Sequence, residues 1–178
     1  MNNNNEQMYP YPGEGYYPNQ QTFILLWNPA CSSVTMDYHL YCIENFDEEP
    51  FDWSVYEWEK AHEGDRFYLV RVGEGKTGIV MSGVFTSEPY VGDDWNKSRG
   101  NKQIHYMDMQ PNFIINPETM PIITTEQLQK AIPDFEWRRG HSGTLLTEDQ
   151  AQRLEKLFAD YLPTVVDKAD GMNLCLLE

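Results

Sequence analysis

Four tryptophans of this 178-residue chain stand beside residues that form turns or caps: Trp27 before Asn28-Pro29, Trp53 before Ser54, Trp95 after Gly92-Asp93-Asp94, and Trp137 before Arg138-Arg139. These are places where a buried element gives way to surface. A ring there either plugs the end of a core or stacks on a planar ligand, and stacking on a nucleobase is worth about 1–3 kcal/mol. Cations gather at two of the same places. Lys97, Arg99 and Lys102 follow Trp95, and Arg138 and Arg139 follow Trp137, in a chain whose formal charge is -15. That overall charge opposes general attraction to phosphate backbones, so any contact with nucleic acid must be local.

Other chemistry-bearing residues lose their meaning in context. Gly73, Gly75 and Gly78 fit the dinucleotide pattern G-x-G-x-x-G, and Gly75-Lys76-Thr77 mimics the end of a phosphate loop. Both motifs need a strand that leads into a helix N-terminus, whereas this run joins two β-prone segments, and Val70 stands where the phosphate loop needs its first glycine. The glycines read as turn chemistry. His39, His62, His105 and His141 have no metal-pair spacing, so no metal site is expected. Asp93-Asp94 suits a loop better than a proton-sharing pair. Cys31, Cys42 and Cys175 form no Cys-x-x-Cys pair, and an odd count argues for reduced thiols rather than a stapled secreted fold. No catalytic set and no cofactor motif remains, which points to a binding module rather than an enzyme. With no apolar run near 18 residues and no signal-peptide pattern in Met1 to Glu6, the expected setting is soluble and cytoplasmic, without a membrane.

The elements that must position these residues follow from local pattern. Residues 1–21, rich in Asn, Tyr, Pro and Gln, read as a flexible tail. The domain is expected over 22–163, with 164–178 as an extension that contains an edge strand from Leu174 to Leu177. Phe23 to Trp27 reads as a buried strand. Ser54 and Glu57 have capping-box spacing, and Trp53 and Trp58 have staple spacing, so a short helix is expected from Ser54 and an end to it at Gly64. Asp65 to Thr86 is the clearest feature: two β-prone runs joined by Gly73-Glu74-Gly75, apolar on both faces, with Gly78 and Gly83 suited to a bulge, a corner or a close approach. Gln103 to Ile115 reads as a long strand or strand pair. Thr124 with Gln127 and Thr147 with Gln150 open two more helices, and Ala151, Leu154, Leu157, Phe158 and Tyr161 share a face of the second. Five Trp, eleven Tyr and eight Phe are more aromatic surface than such a core hides, so some rings are expected to line a pocket.

Taken in order, Leu26-Trp27-Asn28-Pro29, Gly64 to Arg71, Gly78 to Gly83, Ser87-Glu88-Pro89-Tyr90 and Trp95, then Trp137, Ser142-Gly143 and the helix Glu148 to Phe158, the sequence resembles the EVE-like members of the PUA-like superfamily. The likeness is to the reader domains that precede HNH nucleases in restriction systems. It implies an α+β fold, a small pseudo-β-barrel with flanking short helices, and a pocket for a modified or flipped-out base. Carried over by motif, Trp27, Asn28 and Pro29 would stand at the pocket mouth, Ser82 and Gly83 on its wall, and Trp95, Trp137, Ser142 and Gly143 around its rim. Trp53 is a further candidate ring, and Lys97, Arg99, Lys102, Arg138 and Arg139 are candidates for the nucleic-acid backbone. No nuclease segment falls within these 178 residues, and the chain is acidic. An alternative partner is therefore a basic protein, such as a separate nuclease, engaged by an interaction module on the same fold.

Overall fold

The computed structural model describes residues 19–46, 50–168 and 173–176. Most of the expected tail lies outside them. Its last residues are held: Gln21 donates to the Asp65 carboxylate from its backbone N at 3.0 Å and from Nε2 at 3.1 Å.

The hairpin of β3 (Arg66–Arg71) and β4 (Gly78–Phe85) is the centre of the sheet, and every residue of both strands is buried. β1 (Thr22–Trp27) runs parallel to β3, and its crossover contains α1 (Met36–Glu44) and β2 (Phe51–Ser54). On the other side β4 pairs with β6 (Gln103–Ile115), a 13-residue spine that also pairs with β2, β5 (Tyr90–Asp93) and β8 (Leu174–Leu176). Two-residue β7 (Thr144–Leu145) flanks β1, giving the order β2-β6-β4-β3-β1-β7. The ends of this order meet. Tyr56 N donates to Ser142 O at 2.9 Å and Glu57 N to Gly143 O at 3.0 Å, while Gly143 N donates to Ile24 O at 2.9 Å. The sheet therefore curls into a pseudo-barrel.

Both faces of the hairpin are buried because each has a cover. Phe23, Phe67 and Phe85 cluster on one face, with ring centroids 5.6–5.9 Å apart. On the other lies α3 (Glu148–Tyr161), whose Phe158 meets Tyr68 and Phe113 edge-on, each at 5.2 Å. There Glu155 pairs with Arg66 inside the protein and accepts a 2.8 Å hydrogen bond from Tyr68 Oη. α3 opens on the Thr147–Gln150 capping box, α2 (Thr125–Ala131) opens on the Thr124–Gln127 box, and one-turn α4 (Pro163–Val166) follows α3.

One expected helix is absent. Ser54 lies in β2 opposite Tyr106, and after it comes only a single 3₁₀ turn, Trp58–Lys60. The Glu57 carboxylate that would complete a cap accepts instead from Leu145 N at 2.7 Å and Lys60 Nζ at 2.6 Å. Pairing along β6 and barrel closure outweigh a cap worth about 1 kcal/mol. Gly64 has the anticipated positive φ of 90°, but it turns the chain into β3 rather than ending a helix. Conversely, α1 was not anticipated. Thr35 caps it by accepting from Tyr38 N at 3.2 Å, and its buried side is His39, Cys42 and Ile43, an i, i+3, i+4 set that carries too few purely apolar residues to stand out.

Two stability effects follow. Replacing Glu155 by Leu leaves the Arg66 guanidinium buried without its counter-charge, with an expected cost of about 3–5 kcal/mol in urea unfolding; the double substitution Arg66→Met, Glu155→Leu should recover part of it, because Tyr68 Oη still lacks its acceptor. The second concerns His39, whose Nε2 donates to Ile115 O at 2.8 Å. Burial pushes this imidazole down to about 4 from 6.5; the bond to Ile115 opposes that shift and the nearby Arg71 charge adds to it. The unfolded side chain takes up a proton below pH 6.5, which the folded one resists until pH 4. Stability from this group is thus full above pH 6.5 and falls towards pH 4, by about 3 kcal/mol at most. The pH dependence of urea midpoints should be shallower in His39→Phe by that amount; identical slopes would refute the assignment.

Candidate functional site

A cleft of about 590 Å³ opens where the barrel closes. Its walls include Leu26 at the end of β1, Asn28 and residues 31–34 after it, and Val72 of the hairpin, and three further segments supply its rings and arginines. β2 and the stretch after it contribute Trp53, Tyr56 and Trp58; the β5–β6 region contributes Trp95, His105 and Tyr106; and the approach to β7 contributes Arg138, Arg139, His141 and Ser142. Two aromatic–imidazole stacks stiffen the walls. Trp58 lies on His105 with centroids 3.6 Å apart and planes within 8°, and Tyr56 lies on His141 at 3.7 Å and 7°. The Trp53 ring is fixed by its indole N–H, which donates to Ser142 Oγ at 2.9 Å.

Trp95 is placed by a compact loop. Its backbone N donates to Tyr106 Oη at 3.0 Å, and that hydroxyl donates to Asp93 O at 2.7 Å. Asp94, buried beneath, accepts from Asn96 N at 2.9 Å and faces Arg99 Nη1 at 3.7 Å, while the Arg99 guanidinium lies 5.3 Å from the centre of the Trp95 ring. Asp93 therefore ends β5, and Asp94 anchors the loop that follows. Arg138 pairs with Glu126 at 2.7 Å. Asp52 is the one carboxylate among the lining residues; burial, then the Asp108 charge, pushes it above the ordinary aspartate range. Three arginines and one carboxylate thus line the cleft, with Arg99 and Arg138 each paired to an acidic neighbour outside the lining.

Of the residues singled out in the sequence, Asn28, Trp53, Trp95, Arg99, Arg138, Arg139 and Ser142 line the cleft. The remainder do not. Trp27 and Trp137 are 1% and 0% exposed core rings, their indole N–H groups donating to Val34 O at 2.8 Å and Ile132 O at 3.1 Å; they plug the barrel as the alternative reading of ring-end positions had it. Ser82 is buried and donates to Asn112 Oδ1 at 3.3 Å, and Gly83 lies against Gln110 O at a register shift between β4 and β6, so neither forms a cleft wall. Pro29, Lys97 and Lys102 lie outside the lining, and Lys97 pairs with Asp93 at 3.6 Å. Gly143 shapes the cleft from behind. Tyr56, Trp58, Tyr106, His105 and His141 were not picked out from the sequence as pocket residues. Among the described residues no three His, Cys, Asp or Glu side chains converge as metal ligands would, and no described helix is long and apolar enough to cross a membrane.

Solved structures share this architecture. The chain is similar to a hypothetical protein from Leishmania major (10% identity, 80% of this chain and 96% of that one, TM-score 0.53) and to a protein from Pseudomonas syringae (11%, 76% and 98%, 0.51). It is similar also to human THYN1, solved in complex with DNA containing 5-methylcytosine (12%, 78% and 97%, 0.52). At such identities the likeness shows the fold alone, a curled mixed sheet closed into a pseudo-barrel with a few short helices. No family model and no curated protein matches the sequence.

Closure has a specific weak point. Gly143 has φ +88°, and a Cβ there would stand 2.5 Å from Val55 Cα and 2.7 Å from Tyr56 N. Gly143→Ala is expected to cost at least about 2 kcal/mol. Hydrogen exchange at the Tyr56 and Glu57 amides should accelerate more than at β3 and β4. Uniform protection equal to that of the parent protein would show that closure does not depend on this residue.

Proposed function

We propose that the chain is a non-catalytic reader that takes a modified or flipped-out base of a nucleic acid into the closure cleft. The observation that carries this reading is the convergence, in a chain of charge -15, of stacking rings with Arg99, Arg138 and Arg139 around one cleft. Its volume falls in the range of small-molecule sites, about 300–1,000 Å³, and accommodates an extruded base with room for its sugar. Extrusion from a duplex costs a few kcal/mol, which stacking of about 1–3 kcal/mol per ring and phosphate contacts from the arginines would offset. A base methyl group adds only about 0.8 kcal/mol, so discrimination between modified and unmodified bases must come mainly from shape. The shared fold of human THYN1, solved with DNA containing 5-methylcytosine, supports the reading.

The charge of -15 favours a second role on the same fold, docking of a basic protein such as a separate nuclease.

Fluorescence polarisation at about 50 mM salt, with single-stranded and duplex oligonucleotides carrying 5-methylcytosine, 5-hydroxymethylcytosine, N6-methyladenine or no modification, tests the proposal. Binding is expected for at least one modified strand, tighter for single strands than for duplexes. Trp95→Ala should weaken it by about 1–3 kcal/mol, and Arg139→Ala should weaken all sequences alike while lowering the salt slope by about one. Absence of binding to every strand at high-micromolar protein would overturn the reader.

A further inference from the structure

The Ser142 hydroxyl sits in the cleft with its acceptor capacity used up. Its oxygen accepts one bond from Leu26 N at 2.9 Å and another from Trp53 Nε1 at 2.9 Å. Both donors are nitrogens that can only donate, so the direction of these bonds is not a matter of tautomer or rotamer. A hydroxyl has two lone pairs and one proton; with both lone pairs engaged, the proton is what it has left to offer. Among the described residues no group accepts that proton, and Ser142 belongs to the cleft lining. The arrangement is rigid. Leu26 belongs to β1, Trp53 to β2, and the Ser142 backbone O is itself engaged by Tyr56 N at 2.9 Å.

We infer that Ser142 is a specificity-determining donor: it reads a hydrogen-bond acceptor, a carbonyl oxygen or an unprotonated ring nitrogen, on the edge of a planar ligand seated beside Trp53, and rejects an amino or ring N–H group at that place. The physical basis is asymmetric. An acceptor gains one hydrogen bond, whereas an N–H aimed at Ser142 meets an oxygen with no free lone pair and is left unsatisfied. The inference rests on the cleft being a ligand site, as proposed above, but not on the ligand being a nucleobase.

Two planar fragments of similar size separate the cases: isoquinoline, whose ring nitrogen accepts, and indole, whose N–H donates. Titration of each into the full chain at pH 7.5, followed by NMR shifts of the Trp53 and Trp95 indole resonances, should give isoquinoline a preference of about 2- to 10-fold. Ser142→Thr retains the hydroxyl and should retain the preference. Ser142→Ala also strips Leu26 N and Trp53 Nε1 of their acceptor, so overall affinity is not the readout; the ratio should approach one. Trp53→Phe keeps a ring but frees a lone pair on Ser142, and should narrow the ratio by strengthening indole. Equal binding of the two fragments to the parent protein, or no shift of cleft resonances by either at millimolar concentration, would overturn the inference. A retained fragment preference alongside failure of every oligonucleotide would instead remove the nucleobase reading and leave the role of Ser142 in place.

Discussion

The fold turns on a seam. A curled sheet of this order leaves two edges, and exposed edges carry rows of unpaired N–H and C=O groups. Here the edges are joined by the backbone bonds from Tyr56 and Glu57 to Ser142 and Gly143, reinforced by the Glu57 carboxylate, which accepts from Leu145 N at 2.7 Å. Only a residue without a side chain can bring that backbone so close to Val55. The seam is short and irregular, so it cannot be covered by regular strand pairing on both sides, and the rings of Trp53, Tyr56, Trp58 and His141 stand around it. The cleft is the consequence of how the barrel closes.

The seam also explains how the tryptophans divide their work. Trp27 and Trp137 are anchors: each sends its ring into the core and ties its indole N–H to a carbonyl, Val34 O and Ile132 O. The residues that follow them, Asn28 and the Arg138-Arg139 pair, are thereby held at the cleft. Trp53 and Trp95 are half-buried and present ring surface. A tryptophan beside a turn can thus serve either the core or the site. The hydrogen-bond partner of its indole distinguishes the two only partly, since Trp53 is bonded to a cleft residue. Charge is mixed at the same place, where Asp94 faces Arg99 and Glu126 pairs with Arg138.

What could be read from the sequence was what local chemistry decides. The hairpin Arg66 to Phe85 needs only β-prone runs and a glycine turn, and the helices opened by Thr124 and Thr147 need only a cap and an apolar stripe. The same rule misplaced a helix at Ser54, because the cap signal there is local while the competing partners, Tyr106 across the sheet and Leu145 across the seam, are distant in sequence. Helix α1 was missed for the opposite reason: its inward face is built from His39, Cys42 and Ile43, two of which do not read as apolar. At the site, tryptophans and cations beside turns were visible, but the pairing of Trp58 with His105 and of Tyr56 with His141 joins residues 47 and 85 positions apart, and no spacing rule reaches so far.

The glycine run of the hairpin turn shows how a motif can be wrong about ligand and still bear on the site. In a phosphate loop, the space above such glycines is kept open for an anion. Here it is filled by the protein itself: the Asn28 side chain lies over Gly73, with Oδ1 2.7 Å from where a Cβ would stand, and the Arg71 guanidinium lies over Gly75 at 2.9 Å. Asn28 is also capped on its other side, Oδ1 accepting from Ala30 N at 3.1 Å, and it lines the cleft. The turn therefore works as a seat for Asn28. The central hairpin, which supplies no cleft wall through Ser82 or Gly83 but lines it at Val72, thereby also sets the position of a polar group at the cleft.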